Sequence, residues 1–228
     1  MRKLTCNVKD CFLCRHCLAE WRLLIALNKT TQLFKKGRPI FVEGEPMRGI
    51  YFIYSGWVKI HKQWKEPKEL IVRFASLGEM IGHRGMGEGQ TYPVSATPIQ
   101  DTVACFVPWE FLESSLRMNP ELPYSLMQFY SQELNKAEKR MRDFALMDVK
   151  GRVAGALLDI DKIFGTDADG FNSIPVSRQD IASYAGTTYE TVFKFLNTLL
   201  QEKIITTTGK KIKINDPEKL RQRMFDEH

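Results

Sequence analysis

Residues 177–196 have the sequence SRQDIASYAGTTYETVFKFL, which predicts two short helices joined by a tight turn. Its informative positions are a helix cap, a small residue where two helices can cross, a glycine turn and two core aliphatics, namely Ser177, Ala182, Gly186, Val192 and Leu196. This spacing indicates a helix-turn-helix, although a short antiparallel helix pair in an enzyme can imitate it.

The segment that follows predicts a wing. Residues 203–215 read as two strands around Gly209, and their lysines can meet phosphates. The side chains expected to face DNA come from the helix pair and this wing, and they are Arg178, Thr188, Tyr189, Glu190, Phe193, Lys194, Lys210, Lys211 and Lys213.

Glu190 has two physical interpretations. Its carboxylate can accept a hydrogen bond from a cytosine amine in the major groove. Thr187 and Glu190 also have the spacing of a capping box. In that motif the carboxylate accepts a hydrogen bond from the backbone N–H of the cap residue and contacts no base. Lys194 is expected to contact phosphate or guanine, whereas Tyr189 and Phe193 are stacking, methyl-contacting or packing residues.

Short β-rich runs alternate with glycine-bearing turns between residues 33 and 110. The runs cover residues 39–42, 49–54, 57–61, 70–74 and 102–107, and the glycines between them are Gly37, Gly44, Gly49, Gly56, Gly78 and Gly82. Such regular spacing predicts an antiparallel sandwich or roll.

Apolar residues then recur at steps of three and four, at Leu126, Tyr130, Leu134, Ala137, Met141 and Phe144. This period predicts a long helix with one narrow apolar stripe. A stripe of this length favours a dimer seam, and the alternative is a surface helix packed on its own domain. A second unit is expected from Asp148 onward, beginning with a helix over residues 152–164.

Four of the five cysteines, Cys6, Cys11, Cys14 and Cys17, lie in one short run, and Cys105 stands alone in a predicted strand. This bunching indicates a metal or cluster site, and thiolates suit iron–sulfur clusters or zinc. Three alternatives stay open: Cys105 as an inert buried cysteine, the run as a small zinc knot without Cys105, or cysteines in thiol redox chemistry.

The composition excludes some classes of protein. The 228 residues carry a net charge of +6, which is compatible with a nucleic-acid partner. We expect a cytoplasmic protein without a membrane partner, because no apolar stretch could span a bilayer and no signal segment is evident. We also expect no enzyme. A thiol oxidoreductase is a remote alternative, because no Cys-x-x-Cys pair opens a helix in a βαβ setting.

Four motifs together resemble one family. They are Gly37-x-x-Ile40-x-x-x-Gly44-Glu45, Gly49-Ile-Tyr-Phe-Ile-x-Ser-Gly-x-Val-Lys59, Gly78-Glu79 and Arg178-Gln-Asp-Ile-Ala with Gly186 and Glu190-Thr-Val. With the order of roll, long helix and winged helix, the chain resembles the CRP/FNR family of bacterial transcription regulators over almost its whole length.

The resemblance implies an α+β fold in three parts: an N-terminal antiparallel β-roll of the cyclic-nucleotide-binding jelly-roll type, a long dimerisation helix, and a C-terminal winged helix-turn-helix. The corresponding domains are residues 1–118, 119–147 and 148–228. It also implies a homodimer that binds a pseudo-palindromic site in double-stranded DNA and works with RNA polymerase.

The resemblance also suggests where an effector would bind. In the branch that binds cyclic AMP, an arginine before a serine or threonine pairs with the cyclic phosphate. Here no arginine precedes Ser95, which argues against cyclic AMP although Gly78 and Glu79 of that pocket are present.

In the oxygen-sensing branch, similar to the fumarate and nitrate reduction regulator, three N-terminal cysteines and one in the roll hold a [4Fe-4S] cluster. Cys105 falls at the roll position, and the run offers four candidates where three are needed. This implies sensing of oxygen, nitric oxide or redox state. A haem, with His83 as a possible ligand, or a small organic effector is the alternative, with a zinc-bound or unmetallated cysteine arm.

Overall fold

A computed structural model describes residues 10–65, 68–87, 89–174 and 176–225, so Cys6 lies outside the described residues. The chain divides into two compact units, Met1–Leu134 and Asn135–His228. In the described part of the chain, no helix is both long and apolar enough to cross a membrane.

The first unit begins with two helices, α1 Phe12–His16 and α2 Trp21–Asn28. Seven strands follow: β1 Thr30–Phe34, β2 Gly49–Ser55, β3 Val58–Lys65, β4 Lys68–Ala75, β5 Met80–Ile81, β6 Ser95–Pro98 and β7 Thr102–Pro108, with a 3-10 helix at His83–Met86 after β5. Then come α3 Trp109–Met118 and α4 Glu121–Leu146, and the division between the units falls within α4.

The strands form two antiparallel sheets, which confirms the predicted roll. One sheet has the order β1-β7-β2-β5 and the other β4-β3-β6. One core contains buried residues from both sheets, including Ile53 and Ala104 from the first and Val58, Ile60 and Ala96 from the second. Burial of these apolar side chains is the main stabilising contribution to the roll.

The strand predicted at residues 39–42 is shorter than expected. It is reduced to a single bridge between Phe41 and Ala96. Pro39 has no N–H to donate to a ladder, and the Val42 N–H donates instead to the Glu45 carboxylate at 3.0 Å.

A second core joins the cysteine-bearing arm to the roll and to the helices after it. It contains Leu13 of α1, Ile50 of β2, Val107 of β7, Leu112 of α3 and Leu122 of α4, all at most 4% exposed. The arm is therefore packed into the first unit as part of its interior.

Helix α4 confirms the predicted long helix, and the residues of its predicted stripe differ in burial. Leu126 packs in the second core, and the Tyr130 ring lies edge-on to His83. Phe144 packs against Gly186 in the second unit. The exposed apolar line is Met127, Leu134 and Met141, at 61%, 60% and 68% exposure. Periodicity alone could not separate the residues buried in each unit from those left exposed.

The second unit confirms the winged helix-turn-helix. Its elements are α5 Val149–Phe164, α6 Arg178–Ala185, α7 Tyr189–Gln201, β8 Ile205–Thr208, β9 Lys211–Ile214 and α8 Pro217–Gln222. The Ser177 hydroxyl caps α6 by accepting from the Asp180 N–H at 3.0 Å. Gly186 ends α6 with φ +64, and a Cβ there would lie 2.6 Å from the Phe144 ring, so this turn needs glycine.

Candidate functional site

Helix α7 presents two different faces. Val192, Phe195, Leu196 and Leu199 are at most 6% exposed and hold the helix in the second unit. The N-cap is Thr188, whose hydroxyl accepts from the Thr191 N–H at 3.3 Å. With Thr188 as the cap, the third helical residue is Thr191 and not Glu190, so the alternative capping box of Thr187 and Glu190 is not formed.

The Glu190 carboxylate is engaged at the end of its own helix. Its backbone N–H and the Thr188 hydroxyl donate hydrogen bonds to it, which holds the pKa of this carboxyl below its ordinary value, and the Lys194 charge adds a smaller effect. The exposed Glu190 carboxylate thus interacts with the first turn of α7 in a way other than the capping box.

The exposed tip of α7 is aromatic. The side chains of Tyr189 and Phe193 are 44% and 46% exposed, and their rings stack with centroids 6.2 Å apart and planes 12° from parallel. Lys194, next along the helix, is also exposed. The tip therefore combines an apolar surface with a positive charge.

The other predicted DNA-facing cations differ in their surroundings. The Arg178 guanidinium donates to the Gly209 carbonyl at 3.2 Å and so ties α6 to the turn of the wing, whereas Lys210 lies exposed at that turn. Lys211 forms an ion pair with Asp167 at 2.6 Å. Lys213 donates to the Asp169 carbonyl at 2.8 Å. Sequence reasoning missed these loop partners, because only the folded chain brings residues so far apart together.

The cysteine arm docks on the Gly78 turn. The Phe12 N–H donates to the Gly78 carbonyl at 3.2 Å. Gly78 has φ +82, and a Cβ there would lie 2.1 Å from the carbonyl oxygen of Asp10. Gly78, which the sequence places in an effector pocket, permits the close approach of the arm.

Cys105 lies in β7 between Thr31 of β1 and Phe52 of β2. Its Sγ is 3.6 Å from the Thr31 hydroxyl. Cys11 and Cys105 line the same cleft, which Gly78 also borders and whose free volume is about 10 Å³. That volume is roughly enough for one water molecule. Cys11 of the arm and Cys105 of the roll therefore border one cleft.

The remaining described cysteines are buried. Cys14 and Cys17 are 2% and 6% exposed and belong to the second core. Burial raises the pKa of the Cys17 thiol to about 11, and the neighbouring Cys11 adds to the effect. A raised pKa leaves little thiolate at neutral pH, and the thiolate is the form that binds metal.

The described cysteines have the chemistry that an iron–sulfur cluster or zinc requires, but their placement does not fit either one in this conformation. Among the described residues, no three histidine, cysteine, aspartate or glutamate side chains come close enough together to hold a metal ion. The cleft between Cys11 and Cys105 is also too small for a cluster. The arm would have to leave its present packing for four sulfurs to meet.

The predicted effector pocket residues bind local partners. The Glu79 carboxylate pairs with Arg73 at 3.0 Å and accepts from the Ser76 N–H at 2.7 Å. The Ser95 hydroxyl accepts from the Glu43 N–H at 2.9 Å. These bonds stabilise the roll.

His83 is enclosed in the first unit. Its ring is 2% exposed and lies edge-on to the Phe129 and Tyr130 rings. Burial lowers its pKa to about 3, and the Arg73 and Arg84 charges act in the same direction. His83 is thus a neutral core residue here, without an open side for a haem.

The two units match two family models. Residues 31–119 match the cyclic nucleotide-binding domain, and residues 151–223 match the Crp-like helix-turn-helix domain. The chain is 30% identical over 204 residues to a CRP-like cAMP-activated global transcriptional regulator of Mycobacterium tuberculosis, covering 88% of this chain and 91% of the relative. The chain belongs to the CRP/FNR family of transcription regulators.

Two further matches agree with this assignment. The transcriptional activator protein anr of Pseudomonas aeruginosa is 28% identical over 219 residues, covering 92% of this chain and 89% of that protein. The solved structure of FixK2 from Bradyrhizobium japonicum has a TM-score of 0.74 at 27% identity, covering 85% of this chain and 96% of that one. The protein is thus a DNA-binding regulator of the CRP/FNR type.

We predict that Gly78→Ala releases the arm. The added methyl group would collide with the Asp10 carbonyl, and alanine is strained in a backbone at φ +82. We therefore expect the free energy of docking of the arm to become less favourable by more than about 1 kcal/mol. Exposed Cys17 would regain a pKa near its ordinary 9.0. Its alkylation by iodoacetamide at pH 8, followed by mass spectrometry, should be at least about tenfold faster than in the unchanged protein.

Gly87→Ala is the matched control. Gly87 has φ −78, and a Cβ there would meet no atom within 4 Å, so the Cys17 alkylation rate should stay unchanged. Equal alkylation rates for Gly78→Ala and Gly87→Ala would contradict docking at the Gly78 turn.

Proposed function

We propose that this chain is a homodimeric regulator that presents two winged helices to a pseudo-palindromic site in double-stranded DNA. We further propose that it senses oxygen, nitric oxide or redox state in the cytoplasm through a cysteine-bound [4Fe-4S] cluster, and that it acts on RNA polymerase. The observation that carries the sensing part is that Cys11 and Cys105, which are 94 positions apart in the chain, line one cleft.

The cluster proposal rests on the cysteine chemistry and on this placement. Thiolates are the usual ligands of iron–sulfur clusters. Cys11 and Cys105 already face one cleft, and Cys6, Cys14 and Cys17 are the candidates for the remaining ligands. Because Cys14 and Cys17 belong to the core in the present conformation, gain or loss of a bound group would change how the arm packs. The packing of the arm is therefore the proposed link between sensing and the rest of the first unit.

The dimer proposal rests on the exposed line of α4. Met127, Leu134 and Met141 are spaced by seven residues, so they lie along one side of the helix, and each is at least 60% exposed. A repeat of this period is typical of a helix that pairs with a second copy of itself, since it buries the apolar line in a seam.

The exposed cations support contact with DNA. Lys194 on α7 and Lys210 on the turn of the wing extend from the two parts of a winged helix that meet DNA in this class of domain. Each contact with a phosphate contributes affinity that depends on salt, because binding releases counterions from the DNA.

The visible spectrum of protein purified without oxygen tests the cluster. We expect a brown protein with iron and acid-labile sulfide, and absorption that fades on exposure to air. Cys105→Ala should lose most of the iron because it removes a ligand, whereas Val103→Ala, in the same strand, should keep it. Colourless protein without iron after reconstitution would refute the cluster. Colourless protein with bound zinc would favour a structural arm, and a Soret band would favour haem.

Leu134→Glu should disrupt the dimer. A charge placed in an apolar seam is not compensated, so we expect the sedimentation coefficient to fall to that of a monomer. Gln132→Glu adds the same charge about 200° around the helix and should leave the dimer intact. A dimer that survives Leu134→Glu unchanged would place the interface elsewhere.

Lys194→Ala should weaken binding to a DNA site that the unchanged protein has selected from random duplexes. It should also reduce the slope of log affinity against log salt by about one. The control is Lys162→Ala, which removes an exposed lysine from α5, outside the recognition helix and the wing. Fluorescence anisotropy at several salt concentrations measures both effects. An affinity for Lys194→Ala equal to that of the control would contradict the assignment of α7 as the recognition helix.

A further inference from the structure

The tip of α7 offers DNA a pair of stacked rings in place of polar side chains. We propose that Tyr189 and Phe193 together recognise thymine by contacting the 5-methyl groups of thymines in the major groove. This inference deepens the DNA-binding function and assigns part of its sequence specificity to the aromatic pair.

The placement of the rings separates them from the core. Tyr189 and Phe193 are four residues apart, so they lie above one another on one face of the helix. That face is not the buried one, where Val192 and Leu196 are at most 2% exposed. Two large rings that stay nearly half exposed contribute little to the free energy of folding. An exposed apolar surface of this kind is typical of a contact site.

The polar groups beside the rings are already engaged. The Thr188 hydroxyl accepts from the Thr191 N–H and lies 3.0 Å from the Thr191 hydroxyl. The Glu190 carboxylate accepts from its own N–H and from Thr188. Recognition of a base edge by Thr188 would compete with the bonds that cap the helix. The aromatic pair therefore offers the surface that can contact bases without breaking them.

The chemistry of the major groove selects the base. Among the four base pairs, the thymine methyl is the one apolar group displayed there, whereas the other edges offer donors and acceptors. The rings are 6.2 Å apart, which is close to two base steps of about 3.4 Å. The pair thus matches thymines up to about two steps apart within one half-site, with Lys194 beside it for a phosphate.

Replacement of thymine by uracil tests this directly, because it removes the methyl and keeps every hydrogen-bonding group. The full-length protein, both reduced without oxygen and exposed to air, first selects its site from random duplexes. Each thymine of that site is then replaced singly by deoxyuridine. We expect about fourfold weaker binding at one or two positions in each half-site, and no change at the others, since burial of one methyl contributes about that factor.

Variants assign the effect to the rings. Phe193→Ala should bind the thymine and uracil forms of the sensitive position equally, while Phe193→Leu keeps an apolar contact and should keep a preference for thymine. Tyr189→Phe should also keep it, because the ring is retained. Circular dichroism checks that each variant is folded. We expect every variant to fold, because both rings are partly exposed in the unchanged protein.

Three outcomes decide the inference. Weaker binding to uracil in the unchanged protein, abolished by Phe193→Ala, supports it. Unchanged affinity for every uracil-substituted site overturns it and leaves the DNA-binding function standing. Failure of the unchanged protein to select any site under either condition overturns both this inference and the proposed function.

Discussion

The close approach of the arm to the Gly78 turn is the contact on which the arrangement of the cysteines depends. The arm backbone comes so near that a methyl group on this residue would lie 2.1 Å from the Asp10 carbonyl. Once docked there, the arm places Cys14 and Cys17 in the core and Cys11 opposite Cys105. The docked arm thus buries Cys14 and Cys17, and this burial raises the pKa of the Cys17 thiol.

The sequence predicted the parts of the fold that depend on local chemistry. The Ser177 cap and the Gly186 turn were recognisable because each has one dominant physical cause, a side-chain acceptor at a helix start and a backbone with positive φ. The division of the α4 stripe was not predictable, because Leu126, Leu134 and Phe144 have similar hydrophobicity and different neighbours. Likewise, periodicity could not show that Lys211 of the wing pairs with Asp167, which lies in the loop between α5 and α6.

The roll retains the outline of a cyclic nucleotide-binding domain, but its polar groups are used for other purposes. Arg73 pairs with Glu79 and also donates to the Met80 carbonyl at 2.7 Å. Arg73 is thus bound within the roll, where its positive charge neutralises the Glu79 carboxylate. Descent from a common fold with the cAMP-activated relative therefore does not require a common effector, since the function of such a domain lies in its site.

The last turns of α4 are fastened to the helix-turn-helix by several independent contacts. The Arg140 guanidinium donates to the Tyr184 carbonyl at 2.7 Å and stacks 4.3 Å from the Tyr184 ring, and the Phe144 ring fills the space that a side chain at Gly186 would need. A rotation of this end of α4 must therefore carry the turn between α6 and α7 with it. Within the second unit, a change in the direction of this end of α4 therefore changes the orientation of the recognition helix.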